Sequence, residues 1–185
     1  MALTPTVQIP LNFKAPDFSL PEPLSGELCT WNDIQGLKGT VVMFICNHCP
    51  YVVHVVDELV KLGMDYKNEG IGFVAISSND VSTHPNDGPY QMAVLAREKE
   101  FPFPYLYDES QEIARSYDAA CTPDFSVFSH EGKCIYRGQL DGSRPGNQVP
   151  VNGEDMRKVL DLLVAHQEVP AEGQVPSIGC NIKWK

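Results

Sequence analysis

The stretch FICNHCPYVVHVVDELV, residues 44–60, decides how this chain is read. An apolar run ends in two cysteines, Cys46 and Cys49, and an amphipathic pattern begins directly after them. Upstream, TVVMFIC is β-branched and aromatic with little polarity, as in a strand buried on both faces. Downstream, Val52, Val55, Val56, Leu59, Val60 and Leu62 form a broad apolar face over residues 51–67, with Asp57, Glu58 and Lys61 elsewhere on the surface. A strand ending at Cys46 and a helix starting near Cys49 would place both sulfurs at a helix N-terminus, where unpaired amides and the macrodipole favour an anion. An accessible thiol there should ionise below its free value of about 8.5. His48, between the two, would favour the thiolate further.

Three readings of the pair stand on these residues. It is a redox pair, with Cys46 attacking and Cys49 resolving. It is part of a metal site with His48. Or it is two small side chains packed at a strand–helix junction. A structural tetrahedral site wants a second ligand pair at short spacing. The other cysteines, Cys29, Cys121, Cys134 and Cys180, are scattered singly, so no metal is expected.

The surrounding chain predicts a layered α/β arrangement, parallel in its first half and antiparallel at its end. Short strands are expected at 17–20 and 27–30, a helical turn at 31–37, and a buried strand over GIGFVAISSND, residues 70–80. VSTHPNDGPY is a loop by its prolines and glycine, and residues 89–100 are helical in character. A strand at YLYDE and a short helix at 110–117 precede DFSVFS and CIYRGQL, which the turn HEGK makes a hairpin. A final amphipathic helix spans 154–166. Residues 1–14 read as a loosely ordered lead-in, 15–169 as one domain, and 170–185 as a tail packed on it. In that tail, Ile182 and Trp184 alternate with Lys183 and Lys185, as in an extended segment with one side on the body.

Composition narrows the classes. The chain has 185 residues, 24 acids against 14 bases, and a net charge of −10. Phosphate repulsion argues against nucleic acid or anionic lipid as the main partner. No apolar run approaches the ~18 residues of a membrane span. The N-terminus lacks a basic start followed by an apolar stretch, so a cytoplasmic location is the expectation. Six cysteines, four of them isolated, do not form the dense framework of a small secreted domain.

Three features together, APDFSL near the start, the strand–CNHC–helix unit, and Thr122-Pro123 directly before DFSVF, resemble the thioredoxin superfamily. The closest likeness is to its peroxiredoxin-like redoxin branch, related to alkyl hydroperoxide reductases and thiol-specific antioxidants. The resemblance spans about residues 15–169. It implies a thioredoxin-like fold, with a central mixed sheet flanked by helices. It also implies a cis peptide at Thr122-Pro123 beside the cysteines, where it helps bind a partner's backbone; X–Pro bonds are the ones that adopt cis cheaply. The implied activity is thiol–disulfide exchange through a mixed disulfide at Cys46 and Cys49, tuned by His48 and without a cofactor. The partners would be a disulfide-bearing protein or small molecule and a thiol reductant.

The resemblance has departures. Peroxiredoxins carry PxxxTxxC and a later arginine. With Cys49 on their peroxide-attacking cysteine, Cys46 falls on the threonine and Val42 on the proline. Thiol peroxidase activity is therefore the alternative, and a non-enzymatic redox sensor a further one. Arg137 and Arg144 are expected in surface or hairpin ion pairs. Cys121, two residues before the proline, and Cys180, in the tail, are candidate auxiliary thiols.

Overall fold

The computed structural model describes residues 3–185. Strand β1 covers Leu3–Pro5, β2 Ser19–Pro21 and β3 Leu28–Thr30, followed by the short helix α1, Trp31–Ile34. Then come β4 (Gly39–Phe44), α2 (Pro50–Tyr66), β5 (Ile71–Ser77), α3 (Pro89–Glu98), β6 (Tyr105–Tyr107) and α4 (Glu112–Ser116). The chain closes with β7 (Cys121–Thr122), β8 (Asp124–Ser129), β9 (Cys134–Arg137), α5 (Glu154–Val164) and β10 (Ile178–Asn181).

The main sheet has the order β6-β5-β4-β8-β9. β4, β5 and β6 pair in parallel, whereas β8 and β9 run antiparallel. The fold is thioredoxin-like, a mixed sheet between helices. Strand periodicity divides the core in two, because alternate side chains point to opposite faces. Val41, Met43 and Ile45 pack in one cluster with Val52, Val55, Leu59, Phe125 and Val127. Val42 and Phe44 pack in the other with Trp31, Tyr117 and Phe128. This two-sided burial is why β4 has no polar alternation.

A second sheet, β1-β10-β7, joins both chain ends to the segment before Pro123. β10 is antiparallel to both neighbours, with Cys180 opposite Leu3 on one side and Thr122 on the other. The expected lead-in is thus partly a strand from Leu3 onward, and its first two residues lie outside those described. The tail does more than pack: its backbone completes the pairing that β7 would otherwise leave open at an edge. Ile182 is buried, while Trp184 remains partly exposed under the Arg115 guanidinium, 4.3 Å from its ring centroid. The end is pinned by Asp80 N–H to the Lys183 carbonyl at 2.8 Å and by Lys183 N–H to Asn79 Oδ1 at 2.8 Å. Among the described residues no helix is long and apolar enough to cross a membrane.

Candidate functional site

Past Phe44 the chain stays on the sheet for one more residue, the Ile45 amide donating to the Ile76 carbonyl at 3.0 Å. It then leaves to form the CNHC loop. Cys49 is the N-cap of α2, and its carbonyl accepts the amides of Val52 and Val53, each at 2.9 Å. Pro50 takes the first helical position, where its missing N–H would have had no intrahelical partner. Cys46 and Cys49 are both free thiols and both buried.

Thr122 meets both sulfurs. Its hydroxyl is 3.4 Å from Cys46 Sγ, and its carbonyl accepts from Cys49 Sγ at 3.1 Å. The Thr122-Pro123 peptide is cis. Behind it, Asp124 is buried and accepts the Ala120 amide at 3.1 Å and the Thr6 hydroxyl at 3.3 Å. The Arg137 guanidinium lies 3.9 Å from the same carboxylate. Burial raises the Asp124 pKa, and Arg137 counters it. Arg137 makes its ion pair within the β8–β9 hairpin, one of the two settings expected, and it is buried there. It spans the carbonyls of Val7, Tyr117 and Asp118, so it ties the N-terminal segment to the turn that precedes β7.

Asp87, which the sequence reading passed over as loop material, organises the other side. It is fully buried, and its Oδ1 accepts the amides of Asn47 and His48 at 2.8 and 3.1 Å. Its Oδ2 lies 2.5 Å from His48 Nδ1 and accepts from Asn79 Nδ2 at 2.9 Å. His48 Nδ1 is 3.9 Å from Cys46 Sγ, and the ring stacks on His84 with centroids 4.9 Å apart. Tyr105 donates its hydroxyl to Asn47 Oδ1 at 3.1 Å. A buried carboxylate collecting four donors is the tie that fixes the CNHC loop. The only signal in the sequence was an aspartate inside STHPNDG, which is also what a turn would contain.

The two thiols titrate as a unit. The S–H that remains on Cys46 donates to Cys49, so the Cys49 pKa falls to about 4. Burial opposes this, while the Cys180 thiol, the Thr122 hydroxyl and the Cys180 amide add to it. Cys46 is pushed far up by that same hydrogen bond, then by burial and the nearby Asp87 charge. The Thr122 carbonyl offers a protonated Cys49 one acceptor, but it is outnumbered by the donors around that sulfur.

The remaining residues separate clearly. Cys121 alternates with Thr122 along β7 and points the other way, to the Pro123 carbonyl at 3.5 Å and the Thr6 hydroxyl at 3.9 Å. Cys180 lies against the pair and is pushed up to about 12 by burial and its bond to Cys49. Cys29 and Cys134 face the carbonyls of Thr30 and Tyr136. Arg144 binds the carbonyls of Asp141 and Ser143, and His54 Nε2 meets Ser143 Oγ at 2.7 Å. Donor atoms of Cys46, His48 and Asp87 lie within 4.8 Å of one another, a spacing that could hold a metal ion. Both Asp87 oxygens and His48 Nδ1 are already engaged in hydrogen bonds, which suits a proton-sharing network better than a ligand set. Beside the loop, Asn47, His48, Asn86, Tyr90, Val94 and Leu95 line an open depression of about 450 Å³, with Tyr90 exposed.

Comparison with known proteins gives the family and the fold. The sequence profile of the Redoxin family matches residues 10–154, so the chain belongs to that family. A crystal structure of an uncharacterized conserved protein from Geobacillus kaustophilus is 52% identical, covering 100% of this chain and 97% of that one, with a TM-score of 0.97. A hypothetical protein from Sinorhizobium meliloti is 40% identical over 98% of each chain, with a TM-score of 0.95. The thioredoxin domain of a thiol-disulfide oxidoreductase from Bacteroides vulgatus shares the fold at 16% identity and a TM-score of 0.62, covering 83% of this chain and 99% of that one. A search of curated proteins finds no match.

Proposed function

We propose that this redoxin is a thiol–disulfide oxidoreductase that cycles Cys46 and Cys49 between dithiol and disulfide. The observation that carries the reading is Thr122, whose hydroxyl and carbonyl lie 3.4 and 3.1 Å from the two sulfurs beside a cis peptide. That places both thiols against one backbone segment, where an extended substrate chain could lie.

The two sulfurs have different neighbours: Cys49 Sγ donates to the Thr122 carbonyl, while Cys46 Sγ faces the Thr122 hydroxyl and His48 Nδ1. The thiolate of the pair attacks a substrate disulfide, forms a mixed disulfide and releases one substrate thiolate. The other thiol of the pair then gives up its proton and attacks that sulfur. The Cys46–Cys49 bond forms, the mixed disulfide breaks, and the second substrate thiol departs. The substrate is reduced by two electrons and the pair is oxidised; a thiol reductant restores it. Neither sulfur is exposed in the reduced protein, so substrate entry requires the loop to yield. The depression beside His48 and Tyr90 is the natural place for the substrate chain. The reading carries no membrane or nucleic-acid partner, in keeping with the acidity of the chain, and takes the protein to act in the cytoplasm.

The test is insulin or small-disulfide reduction by the wild type, Cys46→Ser and Cys49→Ser. Loss of turnover in both variants is expected, and undiminished turnover in either rejects the scheme. A second reading, thiol peroxidase, is favoured by the low-held Cys49 thiolate. Against it, Arg137 and Arg144 are bonded elsewhere and supply no guanidinium to the sulfurs. Stopped-flow oxidation by hydrogen peroxide separates the two. A rate like that of free cysteine removes the peroxidase.

A further inference from the structure

Cys49 touches more than its partner in the motif. Its sulfur also meets Cys180, which contributes both its thiol and its backbone amide. The contact follows from the second sheet. β10 pairs with β7 so that Cys180 stands directly opposite Thr122, and the Thr122 carbonyl is itself 3.1 Å from Cys49 Sγ. Gly179 makes the close approach possible, since a Cβ there would collide with the Thr122 carbonyl and crowd the Pro123 nitrogen. The strand is held on its far edge by Leu3–Pro5, and beyond it the Ile182 amide donates to the Ala120 carbonyl at 3.1 Å. Cys29, Cys121 and Cys134 differ: their thiols donate to the backbone carbonyls of Thr30, Pro123 and Tyr136. Cys180 is the thiol outside the motif that is placed against a sulfur.

We propose that Cys49 is the shared sulfur of two alternative disulfides, Cys46–Cys49 and Cys49–Cys180, interconverted by exchange within the chain. This rests on the reading that Cys46 and Cys49 form a redox disulfide. In the oxidised protein Cys180 loses its proton, and its thiolate attacks Cys49 Sγ. The Cys49–Cys180 bond forms, the Cys46–Cys49 bond breaks, and Cys46 leaves as a thiolate that takes up a proton. No electrons enter or leave, and one proton moves in net from Cys180 to Cys46. The oxidised bond then ties the C-terminal strand to the start of α2, while Cys46 is free again beside His48.

Disulfide mapping of the full chain tests this. Reduced protein is treated with one equivalent of diamide, quenched in acid, alkylated and digested. Wild type should yield both Cys46–Cys49 and Cys49–Cys180 peptides. Cys46→Ser should yield Cys49–Cys180 as its intramolecular disulfide, and Cys49→Ser should yield no Cys46–Cys180 bond. If Cys46→Ser gives only intermolecular dimers while Cys180 stays alkylatable, the exchange is overturned. A second measurement leaves the motif intact: iodoacetamide labelling of Cys46 in the oxidised wild type should drop at least tenfold in Cys180→Ser. Equal labelling in the two proteins also overturns the exchange. Absence of a Cys46–Cys49 disulfide in oxidised wild type sinks the proposed function instead, so the two failures are told apart.

Discussion

The two sheets of this chain are made on different terms. The five-stranded sheet consists of apolar runs, several of them joined by a single helix, and it buries large side chains on both faces. The three-stranded sheet consists of two to four residues per strand, taken from both chain ends and from the segment before Pro123. The first has the bulk of the buried apolar area, the dominant favourable term in folding. The second contributes little area yet sets the surroundings of both sulfurs. Stability and chemistry are thus lodged in different parts of the backbone, and perturbations of each should be separable.

The largest expected effect is on the chemical side. Cys49→Ser should lower disulfide-reductase turnover by about 10³-fold or more, as removal of a nucleophile does, while leaving far-UV circular dichroism unchanged. Its counterpart in the large sheet is Phe128→Ala. Phe128 is fully buried against Phe13, Trp31 and Tyr117. Its truncation should cost about 3–5 kcal/mol in urea unfolding, with turnover per folded molecule retained. A parallel loss of both properties in either variant would break the division.

Ile182→Ala loosens the anchor just past β10, a side chain packed in the cluster of Val42 and Phe44, without touching a sulfur. The side chain is buried, and the change should cost about 2–4 kcal/mol. Hydrogen exchange should speed up at residues 178–181 while β4 and β5 stay protected. Uniform acceleration throughout would show that the sheets unfold as one.

Asp87→Asn keeps an acceptor for the Asn47 and His48 amides but removes the charge opposite His48. Loss of one charge-assisted hydrogen bond, about 1.5–3 kcal/mol, should appear as a tenfold or greater fall in kcat/KM. The fall should come with a changed pH profile, which distinguishes positioning of His48 from general loosening.

The smallest effect is a pH dependence. Because the Cys49 pKa is lowered to about 4, its thiolate is present from alkaline pH downward and is lost only as pH falls through that value. Alkylation of the reduced protein should stay nearly flat from pH 8 to 5 and decline below about 4. A midpoint near 8.5 would mean the sulfurs titrate as independent thiols. Cys180→Ala removes one donor and should move the midpoint upward, whereas Cys180→Ser retains a donor and should move it less.

Much of the large sheet was readable from local pattern. The run TVVMFIC reads as a strand covered on both faces, and the spacing from Val52 to Leu62 as a helix packed along one side. The strand–CNHC–helix order, with a threonine and proline before a later strand, placed the cysteines in a thioredoxin-like frame. Asp87 escaped notice because an aspartate between prolines and glycine looks the same whether it points to solvent or beneath a neighbouring loop. The hairpin ion pair of Arg137 was legible, but its burial was not, since only the carbonyls of two other segments, at Val7 and at Tyr117 and Asp118, cover it. The tail showed an alternating pattern but no partner, since two to four residues carry too little periodicity to name the strand they will join.

Sequence alone was enough for the order of elements, the two-faced burial of the central strands and the position of the cysteines at a helix start. Each of these depends on neighbours a few residues apart. Which sulfur keeps the charge, and which thiols can reach it, depended on groups 73 and 76 residues away along the chain, Thr122 opposite Cys49 and Cys46, and on a strand arriving from the far end. Hydrogen bonds between such distant groups form only once the core has brought their backbones together, so no local pattern announces them.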